Sequence, residues 1–160
     1  MPRRKSVNII RDVGVDPRYG MEDIQKFINI VMSCGKKNIA RQVVYRAFDI
    51  IAKKQNRKSD EVVELFAQAV ANVTPLVEVK ARRVGGSVFQ VPTEVASLRG
   101  RSLAFRNIIA AASGRSGDCF EIKLAHELID AAENRGGAVK SRADKHKMAD
   151  ANKAFSHLVW

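Results

Sequence analysis

The sequence has few of the residues that would mark it as secreted, membrane-bound or metal-dependent. It contains two cysteines, Cys34 and Cys119, too few for a disulfide framework or a zinc site. Its longest uninterrupted apolar run is Ile108 to Ala112. A membrane-spanning helix needs about 20 such residues. The opening Met1-Pro2-Arg3-Arg4-Lys5 lacks the apolar stretch of a secretory signal. The expectation is an intracellular protein with reduced thiols. Acidic residues are also scarce, 17 Asp and Glu against 28 Lys and Arg, giving a net charge of +11 and a pI near 10.1. In a compact chain this balance suits a polyanion. Charge alone leaves a membrane surface or an acidic protein open, but RNA or DNA is favoured. A length of 160 residues with 46% hydrophobic residues suggests one domain spanning 1–160, with a core and little disorder.

The positive charge lies in separated blocks. Residues 1–20, 21–76, 77–106 and 135–160 each carry a positive excess, while residues 107–134 hold two basic and five acidic side chains. A polyanion would therefore touch several parts of the chain. Residues 1–20 show no sustained period. They carry Arg3, Arg4, Lys5 and Arg11 ahead of any acid, followed by the turn signals Asp16-Pro17 and Gly20. This predicts a basic arm ordered only on a partner.

Six helices are predicted. Ile24, Phe27, Ile28, Val31 and Met32 make the first apolar stripe, ending at Gly35. Ala40, Val43, Val44, Ala47, Phe48 and Ile51 make the second. Ser59 is placed as the cap of the third, whose stripe runs Val62, Leu65, Phe66, Ala69, Val70, Val73 before Pro75. The period then changes to two. Val77 to Arg82 alternates apolar with charged residues, Gly85-Gly86 supplies a turn, and Val88 to Val91 forms a return strand ended by Pro92. A hairpin over 76–92 is expected to protrude. A fourth helix opens near Ser97, with Leu98, Phe105, Ile108, Ile109 and Ala112 inward. The fifth runs from about Cys119 to Glu133 and is broken by Gly136-Gly137. In the sixth, Ser141 to Asp144 fits a capping box, or the helix begins nearer Ala138, and Met148, Ala151 and Phe155 are placed inward. The fold class is mainly α, a six-helix domain with a β-hairpin inserted between the third and fourth helices and a basic N-terminal arm.

Enzymatic motifs fail on inspection. His126-Glu127 begins like a zinc-protease helix, but Asp130 stands where the second His must be. Around Gly35-Lys36-Lys37, Ile30 occupies the first-glycine position of a P-loop and Lys37 the Ser/Thr position. Gly114 to Gly117 lacks the spacing of a nucleophile elbow. No enzyme, cofactor or metal is expected. The remaining candidates are basic. Lys36, Lys37 and Arg41 form one patch, Lys80, Arg82 and Arg83 cluster beside the Gly-Gly tip, and Arg99, Arg101 and Arg106 lie off the apolar stripe of the fourth helix. Lys140, Arg142, Lys145, Lys147 and Lys153 surround the sixth. Lys and Arg neutralise phosphates and release counterions, so separated patches add up. Phe89 is a possible base-stacking residue, though hairpin packing explains it more simply. A free-standing DNA-binding helical protein is the alternative, but charge spread over arm, hairpin and several helices suits a folded RNA better. A pure protein-interaction scaffold does not explain the charge.

The string Val77-Glu78-Val79-Lys80-Ala81-Arg82-Arg83-Val84-Gly85-Gly86-Ser87-Val88-Phe89-Gln90-Val91-Pro92 resembles the hairpin of the small-subunit ribosomal protein seven family, in its bacterial form. Glu127 to Asn134 resembles that family's fifth helix, and Met148 to Trp160 its sixth helix and tail. Gly35-Lys36-Lys37 and the Met-Pro-Arg-Arg start also match, so the resemblance covers nearly the whole chain. It implies a cytoplasmic ribosomal protein that binds the 3′ major (head) domain of small-subunit rRNA and helps start head assembly. The implied rRNA-binding residues are Arg3, Arg4, Lys5, Arg11, Lys36, Lys37, Arg41, Lys80, Arg99, Arg101 and Arg106. Those implied to lie near the exit-site tRNA and mRNA are Arg82, Arg83, Val84, Gly85, Gly86, Lys140, Arg142 and Lys147. Implied neighbours are the ninth and eleventh small-subunit proteins, with no membrane partner. Gly100 departs from the family pattern and is expected to loosen a basic turn. The loop Ser113 to Asp118 also departs from it, so no contact is carried to Arg115.

Overall fold

The computed structural model describes residues 12–56 and 58–158. Its order is α1 (Glu22–Val31), α2 (Lys37–Gln55), α3 (Ser59–Val73), β1 (Val77–Val84), β2 (Ser87–Glu94), α4 (Ser97–Ser113), α5 (Phe120–Ala132) and α6 (Gly136–Ala151), then a 3₁₀ segment, Lys153–Leu158. The six helices and the inserted hairpin agree with the sequence reading.

Apolar periodicity decides most of the core. All six stripe residues of α3 are buried, as are Ala40, Val44, Ala47, Phe48 and Ile51 of α2. Phe66 of α3 is the hub of an aromatic cluster, with ring centroids 5.3 Å from Phe27, 5.6 Å from Phe48 and 6.2 Å from Phe105. One side chain thereby ties α3 to α1, α2 and α4. Helix α5 packs against α2, α3, α4 and α6. Its buried Ala125, Ala131 and Ala132 let those neighbours approach closely. Residues 107–134, the acidic block, thus supply the central helix of the fold.

Several boundaries differ from expectation. Ser59 is the first residue of α3 and makes no capping bond; Lys58 is in the cap position. Helix α6 begins at Gly136, so Ser141 is inside it and the capping box does not form. Gly136 has φ +91°, and a Cβ there would stand 2.9 Å from Glu127 Oε1. The glycine therefore admits the chain into α6 as well as ending the preceding turn. Leu98 and Met148 are exposed at 68% and 52%, not inward, and Ala151 is exposed too. On α6 the buried positions are the small residues Ala138 and Ala149, a pattern too sparse to read as a stripe. Strand β2 runs past Pro92 to Glu94. Proline is tolerated because a two-stranded ribbon has an open edge on each strand. Gly100 is buried, and a Cβ there would approach Thr74 Cγ2 at 3.0 Å and the Pro75 carbonyl at 3.3 Å. It tightens the packing of α4 on the α3–β1 connection instead of loosening a turn.

Within the expected arm, residues 16–19 are held against the body; residues 1–11 lie outside the described residues. Asp16 is 1% exposed, and its carboxylate accepts the Tyr45 hydroxyl at 2.8 and 3.0 Å and the Arg18 and Tyr19 N–H groups at 3.1 Å. Tyr19 packs edge-on against Phe48 at 5.3 Å. Arg18 pairs with Asp49 at 2.6 Å and stands 5.1 and 5.2 Å from the Tyr19 and Tyr45 ring centres. These contacts fasten residues 16–19 to α2 without any partner.

Candidate nucleic-acid interface

The exposed cations separate into those that folding accounts for and those that it does not. At the α1–α2 turn, Cys34 and Gly35 adopt φ +53° and +72°, reversing the chain. Lys36 then occupies the N-cap position of α2 without a side-chain capping bond, and Lys37 is its first residue, with no acid in the first turn. Cations there oppose the helix dipole, at a cost of roughly 0.3–1 kcal/mol each. Lys53 and Lys54, in the last turn of the same helix, agree with the dipole. Helix electrostatics explain that second pair and not the first. Arg41 is half-buried one turn on, and its Nε is buried without a hydrogen-bond partner.

The second group joins the hairpin base to α4. The Glu78 carboxylate accepts Arg99 Nε at 3.0 Å and Arg99 Nη2 at 2.9 Å, and pairs with Lys80 Nζ at 2.9 Å. Two candidate residues from different elements therefore meet on one acid and leave the trio net positive. The hydrogen bond from Arg99, reinforced by Lys80 and opposed by partial burial, holds the Glu78 pKa below its usual value. On the outer face of α4, Leu98, Arg99, Ser102, Leu103 and Arg106 line a shallow groove, the spacing of a single helical face. Arg101 points elsewhere and meets Asp23 of α1 at 3.4 Å.

The third group is the hairpin tip. Val84 pairs with Ser87 across a two-residue loop, and Gly85 and Gly86 have φ +56° and +91°. Positive φ at both positions is what a type I′ turn requires and what L side chains resist. Arg82 and Arg83 are exposed on opposite faces of the ribbon, facing Phe89 and Val88 in register. On α6, Lys140 and Lys147 are exposed. Arg142 is half-buried and its Nη1 donates to the Asn72 carbonyl, so this candidate is partly committed to the fold. Among the described residues, Lys36, Lys37, Arg41, Arg82, Arg83, Arg106, Lys140 and Lys147 form no ion pair. Arg3, Arg4, Lys5 and Arg11 lie outside the described residues.

One charged cluster escaped the sequence reading. Glu127 is 0% exposed; Oε1 accepts the Ala138 N–H at 2.8 Å, and Oε2 accepts Arg115 Nε at 2.6 Å. Arg115 Nη2 donates to Asp130. Partial burial alone would lower the Arg115 pKa, but the hydrogen bonds and charges of Asp130 and Glu127 outweigh it and raise the value. The signal was available: Glu127 falls three residues after Leu124 on the buried stripe of α5, where an acid needs a partner. This cluster clamps the α4–α5 loop and the start of α6 to α5. Among the described residues no group of three or more His, Cys, Asp and Glu could hold a metal ion.

Residues 2–153 match the family described as Ribosomal protein S7p/S5e. The chain belongs to that family. It is 50% identical over 160 residues to the small ribosomal subunit protein uS7 of Baumannia cicadellinicola subsp. Homalodisca coagulata, covering 100% of both chains. It is 52% identical over 160 residues to the uS7 protein of Moorella thermoacetica, again covering 100% of both. With uS7 of Stenotrophomonas maltophilia (strain K279a) it shares 50% over 157 residues, 98% of this chain and 99% of the relative. Membership makes it a structural ribosomal protein and not an enzyme. These relatives are bacterial, and bacterial ribosomes are cytoplasmic, in agreement with the expected location. Among the described residues no helix is long and apolar enough to cross a membrane.

Proposed function

We propose that this chain, a structural protein of the small ribosomal subunit, binds the head domain of the small-subunit rRNA and helps nucleate assembly of the head. The carrying observation is the set of exposed cations without ion-pair partners among the described residues. They include Lys36 at the α1–α2 turn, Arg82 and Arg83 on the hairpin, Arg106 on α4, and Lys140 and Lys147 on α6; the rRNA surface also takes in the half-buried Lys37 and Arg41 and the ion-paired Lys80, Arg99 and Arg101. Lys36, Lys37, Arg41, Lys80, Arg99, Arg101 and Arg106, with Arg3, Arg4, Lys5 and Arg11 of the first residues, make the rRNA surface. Residues 1–160 act as one rRNA-binding unit. The hairpin tip, Arg82 to Gly86, and the α6 residues Lys140, Arg142 and Lys147 face the exit-site tRNA and the leaving mRNA. The ninth and eleventh small-subunit proteins are its neighbours in the head.

Binding to isolated head-domain rRNA tests the reading. If roughly six or more phosphates are neutralised, affinity falls at least about a thousandfold between 50 and 200 mM salt. An unrelated folded RNA of equal length should bind more weakly at the higher salt. A flat salt response, or equal affinity for the two RNAs, contradicts the proposal.

A further inference from the structure

The hairpin does not stand alone. Phe89 of β2 is half-buried, with its ring centroid 5.2 Å from Phe155 of the 3₁₀ segment and the planes tilted by 50°. Its neighbour on the same strand face, Val91, is 0% exposed, yet neither Val91 nor the buried Ala149 of α6 belongs to the main hydrophobic cluster. The two mark a second, small apolar layer where α6 and the 3₁₀ segment pack against the ribbon. At the base, the Leu76 N–H donates to His146 Nε2 at 3.1 Å. The chain passes from α6 to Phe155 through the single turn residue Asn152: its Nδ2 donates to the Met148 carbonyl at 2.8 Å, and the Phe155 N–H to the Asn152 carbonyl at 3.0 Å.

A two-stranded ribbon is marginal alone in water, and its direction is set by whatever packs along it. We infer that the C-terminal 3₁₀ segment is a brace fixing the direction of the hairpin, with Phe155 as the positioning residue. The tip and the basic face of α6 then move as one body. The ring of Phe155 packs on Phe89, the cross-strand partner of Arg82, one same-face pair short of the Val84–Ser87 pair at the tip. This rests on the proposed placement of the tip beside exit-site tRNA only for its functional consequence; the brace itself is a property of the free protein.

Two measurements separate those parts. Amide exchange on the full-length free protein reads the brace. Phe155→Ala should speed exchange along β1 and β2 by about three- to tenfold, the loss of one aromatic pair. Exchange in α3 and α5 should not change, and Phe155→Trp should restore the hairpin values. Unchanged hairpin exchange in Phe155→Ala, or equal loss of protection in α3 and α5, overturns the inference. Exit-site tRNA dissociation from reconstituted subunits reads the consequence. Replacing Arg82–Ser87 by a short Gly-Ser turn should speed release, Phe155→Ala should do so too, and the two combined should be no faster than the shortened hairpin alone. If the shortened hairpin leaves release unchanged, the placement of the tip is wrong and the exchange result alone decides the brace. If the shortened hairpin speeds release and Phe155→Ala does not, the brace fails while the placement stands.

Discussion

Phe66 and Phe89 sit on elements that periodicity reveals equally well, yet they serve the molecule differently. Phe66 is 1% exposed and touches three other rings, each from a different helix. Phe89 is half-buried and has one ring neighbour, Phe155, outside the main core. The helical body is over-determined, so truncating one side chain leaves a cavity. The hairpin is held along one flank and at its base, so truncating a side chain there changes where it points. Stability resides in the buried face of the first region; the cations without an ion pair among the described residues lie on its outer face and, as Arg82 and Arg83, on the hairpin.

The contrast is broken most severely by Phe66→Ala. Deleting a fully buried ring should cost about 3–5 kcal/mol, read as a lowered urea midpoint. Shortening Arg82–Ser87 should shift the same midpoint by no more than about 0.5 kcal/mol. Comparable losses from the two variants would erase the distinction.

The Arg115–Glu127–Asp130 clamp extends the comparison to charge. Arg115→Leu leaves the fully buried Glu127 carboxylate without its cation and should cost about 3 kcal/mol. Removing the exposed cation of Arg106 should cost less than about 0.5 kcal/mol. Both are read by denaturant unfolding.

The N-terminal strap provides the smallest effect. Burial, aided by the hydrogen bond to Asp16 and its charge, pushes the Tyr45 phenol up to about 12. A phenol whose folded pKa exceeds its unfolded value of about 10 stabilises the fold below that value. That contribution is lost as pH rises through the folded value. Phenolate absorbance should therefore show Tyr45 titrating late, with the strap released in the same range. Asp16→Asn should move the titration back toward the ordinary value. Early titration in the unaltered protein would show that the Asp16–Tyr45 contact does not hold the strap.

What was legible in the sequence follows the same division. The α3 stripe and the switch to alternating residues at Val77 are repeated signals, and both elements form where they point. Asp16 was not legible as a buried group because an acid reads as surface unless its partner is known, and Glu127 was marked only by its place on the α5 stripe, with no sign of its partner. Those partners, Tyr45 and Arg115, are 29 and 12 residues away in sequence. Helix α6 carries only alanines at its buried positions, so its start and the outward Met148 could not be read from an apolar stripe. Basic candidates were legible as residue types, but not their pairing. Arg99 and Lys80 share Glu78, and Arg142 serves the Asn72 carbonyl, contacts that depend on the third dimension.

The central claim is that the unpaired cations serve RNA and not the fold. It is tested most directly by a triple variant, Lys36→Ala, Lys37→Ala and Arg106→Ala, followed in two readouts. The slope of log affinity for head-domain rRNA against log salt should become shallower by about two to three, close to one for each phosphate no longer neutralised, while the unfolding midpoint does not fall and stability rises by roughly 0.6–2 kcal/mol as two cations opposing the α2 dipole are removed. An unchanged slope, or a fall in stability that accounts for the weaker binding, would contradict the account.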